Sequence, residues 1–531
     1  MLTGANGYAM DLADTRFDGL VVEGEKILAI GNAEDLRLQF GAVVTKILDV
    51  NGATVIPGLV DNHLHLSGVG EQLLRLDLTG TTSKGEFLAR VRAWAVSLPD
   101  DAWIIGAGWD EFQIRDRQIP NIEELDAASL GRPLLLMRVC RHVLLANRLA
   151  FALSGLGEHP ADPEGGAYGR DDRGHLNGLV YEERAFQPFF SVLPKWTSAN
   201  WKHALKIAMQ HSLASGLTAV HSDDTRYVGG VAATWQVYRN LLDEDHRRLR
   251  VHELIGDLYV DEFRNLVNDL PAQDEWLSSG AVKLFADGSF GGRTAWLSHP
   301  YEDAPNEYGL PIYSPDQLRQ RVRELHDAGL PVAIHAIGDA ALDMAVQSIE
   351  MAPRIHRRDR IVHAELIRPD LVERMTRLGD RLAIDIQPRF AASDFPWVID
   401  RVGKERAAYV CAWKTMKQAG LHVGGGSDAP VEPIHPLLGI HAAVTRRSPF
   451  ANGDGHFVNQ SLSPKEAVVL FTQEASFAIG IEDKKGRLLP GWLADLTILD
   501  RDIVNPTETD DIRDAKVLYT IVGGAIAHSI E

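Results

Sequence analysis

The chain has 531 residues, 45% of them hydrophobic and 24% charged, the balance of an ordinary folded protein rather than a disordered or fibrous one. A formal net charge of −19 disfavours non-specific attraction to nucleic acid or to an anionic membrane surface, and leaves a small molecule, uncharged or cationic, as the better-matched partner. Two cysteines, Cys140 and Cys411, give no disulfide framework and no C-x-x-C pair, so a reducing, cytoplasmic compartment is expected.

The opening residues MLTGANGYAMDLADTRF carry no basic region followed by an apolar one, and no apolar run in the chain is long enough to span a bilayer. FDGLVVEGEKILAIG and KILDVNGATVIPG then alternate short β-branched runs with glycine-containing turns, the pattern of antiparallel strands. LADLTILDRD and AKVLYTIVGGAIAH near the C-terminus repeat it. Residues 1–57 and 481–531 are therefore expected to share one small, sandwich-like β domain, with two unrelated terminal hairpins as the alternative.

Between them, in 58–480, helix and strand alternate. HSLASGLTAVHSDD, HDAGLPVAIHAIGD and KQAGLHVGGGSDAP each end a helix at a glycine (Gly216, Gly329, Gly420), as a left-handed C-terminal cap requires, and each continues into an apolar strand that finishes in His or Asp. Ser314 and Pro315 mark a helix start, the first as N-cap and the second at the first helical position. With VIPGLVDNHLHL, RLRVHELIGD, GAVKLFADG, RIVHAELI and LAIDIQPR the strands number eight. Alternation implies parallel pairing, and eight such units imply a TIM-like (β/α)8 barrel with its functional groups at the C-terminal strand ends. The interval 67–215 is too long for a βα connection, and is expected to be an inserted subdomain, either a cap over the barrel mouth or a surface decoration.

On a strand, residues i and i+2 point the same way, so His63 and His65 leave the first barrel strand together. Taken alone, H-x-H is weak, because a lone histidine pair is more often structural. Lys283, His335, His363 and Asp428 end four other strands, and this many polar groups at one barrel mouth call for a cation to satisfy them. Imidazole and carboxylate together suit a divalent metal, zinc first. A protonated Lys283 would repel such an ion, but burial beside cations favours the neutral amine; an ion pair with Asp287 or a substrate carboxylate is its alternative.

In this order of H-x-H, Lys, His, His and Asp the chain resembles the amidohydrolase superfamily. WIIGAGWDE, PLLLMRVCRHVLLAN, KLFADGSFGGRTAWL, GSDAPVEPIHPLLGI and GRLLPGWLADLTILD are similar to its family 3 branch. CRHVLLANRLA and Phe390 in QPRFAASD depart from the branch's usual residues, which bears on substrate class rather than on the metal centre. The resemblance implies one or two divalent metals: His63 and His65 on one, His335 and His363 on the other, and Lys283 bridging them after carbamylation by carbon dioxide. Glu182 is an alternative carboxylate ligand, more readily read as a solvated glutamate.

The implied reaction is hydrolysis of a small molecule's amide-type C–N bond outside peptides. Metal lowers the pKa of water from ~15.7 toward ~7, and Asp428, as ligand, base or both, moves its proton to the departing nitrogen. With a single metal, His335 or His363 would instead orient the carbonyl. Arg293, Trp109, His142 and Gln387 are candidate substrate contacts, each with a packing or ion-pair alternative. A deaminase, lyase or isomerase on the same scaffold, or a non-catalytic regulatory relative, are the rival readings. No G-x-S-x-G elbow, phosphate loop or basic stripe supports a serine hydrolase, a nucleotide enzyme or a nucleic-acid binder. A homodimer is the base-rate expectation.

Overall fold

The computed structural model describes residues 1–530 except 112, 116, 139–142, 164, 245, 247, 267–273, 450 and 452. The chain separates into two compact units, Met1–Gly70 with Trp201–Glu531, and Glu71–Asn200. No described helix is long and apolar enough to cross a membrane.

The first unit holds an eight-stranded, wholly parallel sheet. Its strands are β1 (Leu59–Leu64), β2 (Leu217–Ser222), β3 (Arg250–Gly256), β4 (Leu277–Phe285), β5 (Val332–Ala336), β6 (Asp359–His363), β7 (Leu382–Ile386) and β8 (His422–Gly425). Helices such as Pro315–Asp327, Asp339–Met351 and Pro369–Leu378 alternate with them, giving the expected TIM-like barrel. Parallel strands covered on both faces are continuously buried rather than alternating, as β1, β2, β3, β6 and β7 are.

Beyond β8 two backbone bonds draw the barrel's ends together: Asp428 N–H donates to the His63 carbonyl and His65 N–H to the Ala429 carbonyl, both at 2.8 Å. Inside, Leu254, Ala281, Ala333 and Val362 form an apolar cluster. Beside it lies a polar layer, with Asp385 accepting from Arg360 Nε and Asn62 Nδ2, each at 2.7 Å.

Local signals place the helices. Ser314 and Gln317 cap each other reciprocally around Pro315, and Gly216, Gly329 and Gly420 take φ of 88°, 73° and 81°, where only glycine avoids a steric penalty. VIPGLVDNHLHL is not one strand. Gly58 divides it: Thr54–Pro57 pairs with Leu496–Leu499, and β1 begins afterwards. A Cβ on Gly58 would lie 2.4 Å from the Thr218 side chain, so only glycine lets the chain change sheets there.

Both chain ends enter one eight-stranded sheet with Thr54–Pro57 near its middle, over a core that includes Leu20, Val55, Leu496 and Ile498. The pairing is mixed rather than wholly antiparallel, because Leu2–Tyr8 runs parallel to Thr54–Pro57. The second unit has its own six-stranded sheet and its own core, with Phe87, Trp109 and Leu136 in one cluster and Phe151, Tyr168 and Phe189 in another.

Candidate metal centre

The seam between β8 and β1 assembles the site. His63 leaves β1, His65 follows directly after it, and the Asp428–His63 backbone bond fixes the carboxylate beside both rings. Asp428 Oδ1 lies 3.2 Å from His65 Nε2 and 3.6 Å from His63 Nε2, and one ligand atom from each of the three residues falls within 4.8 Å of the others. Non-glycine residues at the mouth take left-handed backbone, Asp428 at φ 56° and His363 at φ 79°; such conformations persist where the surroundings over-determine them, and they cluster at functional sites.

His335, His363 and Lys283 come to the same place. His63 and His363 rings are 6.0 Å apart, and His335 and His363 rings 4.4 Å. Lys283 is 2% exposed, and its Nζ donates to His63 Nε2 at 2.9 Å. This is not the pair with Asp287 that was the alternative for it: Asp287 instead accepts the backbone N–H groups of Trp296, Ile337 and Gly338.

Hydrogen bonds choose the nitrogen that each ring leaves free. His65 Nδ1 donates to the Asp223 carbonyl at 3.2 Å and His363 Nδ1 to Gln387 Oε1 at 2.7 Å, so both turn Nε2 toward the site, that of His65 onto Asp428. His335 Nε2 donates to the Gly288 carbonyl at 3.0 Å, which leaves its Nδ1. Orientation of ligand imidazoles by such outer partners is a general feature of metal sites. The donor set fits a divalent cation: neutral imidazoles and a carboxylate converge, and a lysine proton occupies the lone pair of His63 Nε2 while His63 Nδ1 is buried without a partner among the described residues.

Electrostatics agree. Burial, then the charge of Lys283, holds His63 well below its ordinary pKa, and burial with neighbouring charge does the same for His335. Burial lowers His363 to about 4. Burial also opposes ionisation of Asp428, but the bond from His65 and the surrounding positive charge bring it down to about 2. At His65 burial is outweighed by Asp428, and the pKa is raised. Burial lowers Lys283 to about 8, which brings the neutral amine within reach.

The proposed substrate contacts fare differently. Trp109 is 1% exposed, inside the second unit's core, with its indole N–H on the Leu136 carbonyl at 2.9 Å, so packing rather than a ligand accounts for it. Arg293 is held by Asp303 at 2.9 Å, the ordinary ion pair. Gln387 is buried and its amide oxygen is spent on His363, which makes it a positioning residue. Glu182 is exposed, at φ 68°, ahead of the helix Glu183–Ser191. His142 lies outside the described residues. Sequence reasoning missed Tyr227, edge-on to His65 at 5.7 Å, and Phe285, 5.3 Å from His335; ring contacts between distant elements leave no spacing signal. Phe390, noted only as a departure from the family, stacks on His363 at 5.9 Å.

Barrel and site together define a (β/α)8 protein of the metal-dependent kind, with its candidate ligands at the C-terminal strand ends. The chain belongs to the amidohydrolase family, whose profile matches residues 46–528. It is 35% identical over 525 residues to the putative amidohydrolase YtcJ of Bacillus subtilis, covering 98% of each chain. It is 25% identical over 548 residues to N-substituted formamide deformylase of Arthrobacter pascens, covering 99% of this chain and 98% of that one. The crystal structure of an uncharacterized metal-dependent hydrolase from Pyrococcus furiosus superimposes with a TM-score of 0.77 at 30% identity, covering 95% of this chain and 99% of the other.

Proposed function

We propose that the protein is a metal-dependent hydrolase that cleaves an amide-type C–N bond of a small molecule. The observation that carries this is the placement of Asp428 against both His63 and His65 at the barrel mouth. His63, His65, His335, His363 and Asp428 would hold one or two divalent ions, zinc first, with Lys283 as a carbamylated bridge when two are bound. An ion there supplies a Lewis acid for the carbonyl and makes water acidic enough to attack at neutral pH.

The chain's own groups do the rest. Asp428 is ionised and hydrogen-bonded to His65, so it is able to accept a proton from the attacking water and return it to the departing nitrogen. Gln387 and the carbonyls of Asp223 and Gly288 hold three rings in fixed tautomers, so no reorganisation is needed as charge develops. The related formamide deformylase supports an N-acyl or N-formyl substrate as the first class to test.

The test is a panel of formamides, N-acyl amino acids and cyclic imides against zinc-loaded protein, with metal content measured in parallel. Asp428→Asn should lower turnover about 10²–10⁴-fold, the usual contribution of a general acid–base group; turnover near that of the unaltered protein would remove Asp428 from this role. Lys283→Ala should lower bound metal toward one equivalent or none, with partial recovery in short carboxylic acids. Unchanged metal content in that variant would exclude the carbamate bridge.

A further inference from the structure

At the other end of the barrel, where the strands begin, two cavities of about 320 and 360 Å³ share His252, Arg357 and Ile479 in their walls. The first is also walled by Arg358, Arg360 and Glu482. Three guanidiniums therefore face one carboxylate, and that carboxylate is already bound by two nitrogens of Arg358.

The other two guanidiniums are underused. Arg357 donates to the Ser279 carbonyl and has no carboxylate partner among the described residues. Arg360 is 1% exposed; Nε and Nη2 serve Asp385 and the Asn62 carbonyl, while Nη1 has no partner among the described residues. His252 is 6% exposed and meets Ser278 Oγ through Nδ1 at 2.8 Å. Its Nε2 edge lies over Gly280, where a Cβ would come within 2.1 Å, so only glycine leaves room for the ring in that wall. Burial and the charges of Arg360 and Arg357 push the His252 pKa well down; of the three guanidiniums, Arg358 pairs with Glu482 and Arg360 with Asp385. Arg357 is exposed at the cavity wall and Arg360 buried behind it; guanidinium forks match the oxygens of phosphate and carboxylate groups.

We propose that this end of the barrel is a second binding site, for a small oxyanion held by Arg357 and His252 with Arg360 behind them. It does not depend on the metal centre or on the reaction proposed there.

Calorimetric titration of the full-length, zinc-loaded protein with inorganic phosphate, at constant ionic strength, tests it. Saturable binding is expected, weakened about tenfold or more by Arg357→Ala, about 1.4 kcal/mol, and abolished by Arg357→Glu, with His65→Asn leaving it intact. No saturable binding, binding that survives Arg357→Glu, or binding lost only with His65→Asn would overturn the proposal, the last placing the phosphate on the metal. If Arg357→Ala does not fold, His356→Ala, an exposed side chain of the same wall, takes its place: a several-fold loss supports the site and unchanged affinity overturns it.

Discussion

Both ring nitrogens of His65 are engaged, one with the Asp223 carbonyl and one with Asp428, so an ion taking Nε2 must displace the proton that His65 shares with the carboxylate. Metal affinity should therefore fall as pH drops through the raised pKa of His65, because ligand and proton compete. Chelator competition at a series of pH values measures this, and proton release on loading should accompany it. Gln387→Ala should weaken metal binding about 10–100-fold, the usual effect of removing an outer partner of a ligand histidine; restoration by Gln387→Glu would show that it acts through His363. The candidate ligands were legible in sequence because each lies near the end of, or just after, a strand whose apolar run is visible. Gln387 and Asp223 were not legible in these roles, since a rotamer and a backbone carbonyl leave no spacing to read.

Among the elements, the join between the terminal sheet and the barrel rests on buried charge. Asp495, just before Leu496–Leu499, accepts from Arg250 Nε of β3 at 2.8 Å and from Lys485, which also donates to Thr218 of β2 at 2.7 Å. Burial alone would raise Asp495; Lys485 and Arg250 outweigh it and hold the carboxyl far below its ordinary range. Its stabilising contribution is thus fully present above about pH 4, the unfolded value, and is lost as pH falls toward the lowered folded one. Asp495→Asn should destabilise by about 3–5 kcal/mol, because it leaves cations buried and unpaired, and should flatten the acid limb of stability in urea titrations. Ser314→Ala should cost about 1 kcal/mol in the same assay. The cap at Ser314 was readable from Ser314 and Pro315, and the domain boundary at 57/58 was too, whereas the strand break at Gly58 inside VIPGLVDNHLHL was not, because what forbids a side chain there is Thr218, 160 positions away in sequence.

For the whole molecule, an ion bound only by the folded state stabilises it by mass action, about 2.7 kcal/mol at a hundredfold excess over its dissociation constant. Chelation should lower the melting temperature reversibly, and Asp428→Ala should remove most of that dependence. The repeat of helix, glycine and apolar strand made the barrel order legible from sequence alone. The internal sheet of Glu71–Asn200 was not, because its strands are short, some of only two to six residues, and lack a periodic pattern long enough to read.

The two backbone bonds that unite the first and last barrel strands lie among the same residues that would grip the ion. A bound cation would act as a further clasp on a ring whose ends are already fastened by these main-chain bonds and by Asp61, whose Oδ1 accepts the Ser427 N–H at 3.0 Å. Amide protons of His65 and Asp428 should then exchange with deuterium markedly more slowly after loading, while those in the middle of β4 and β5 barely change.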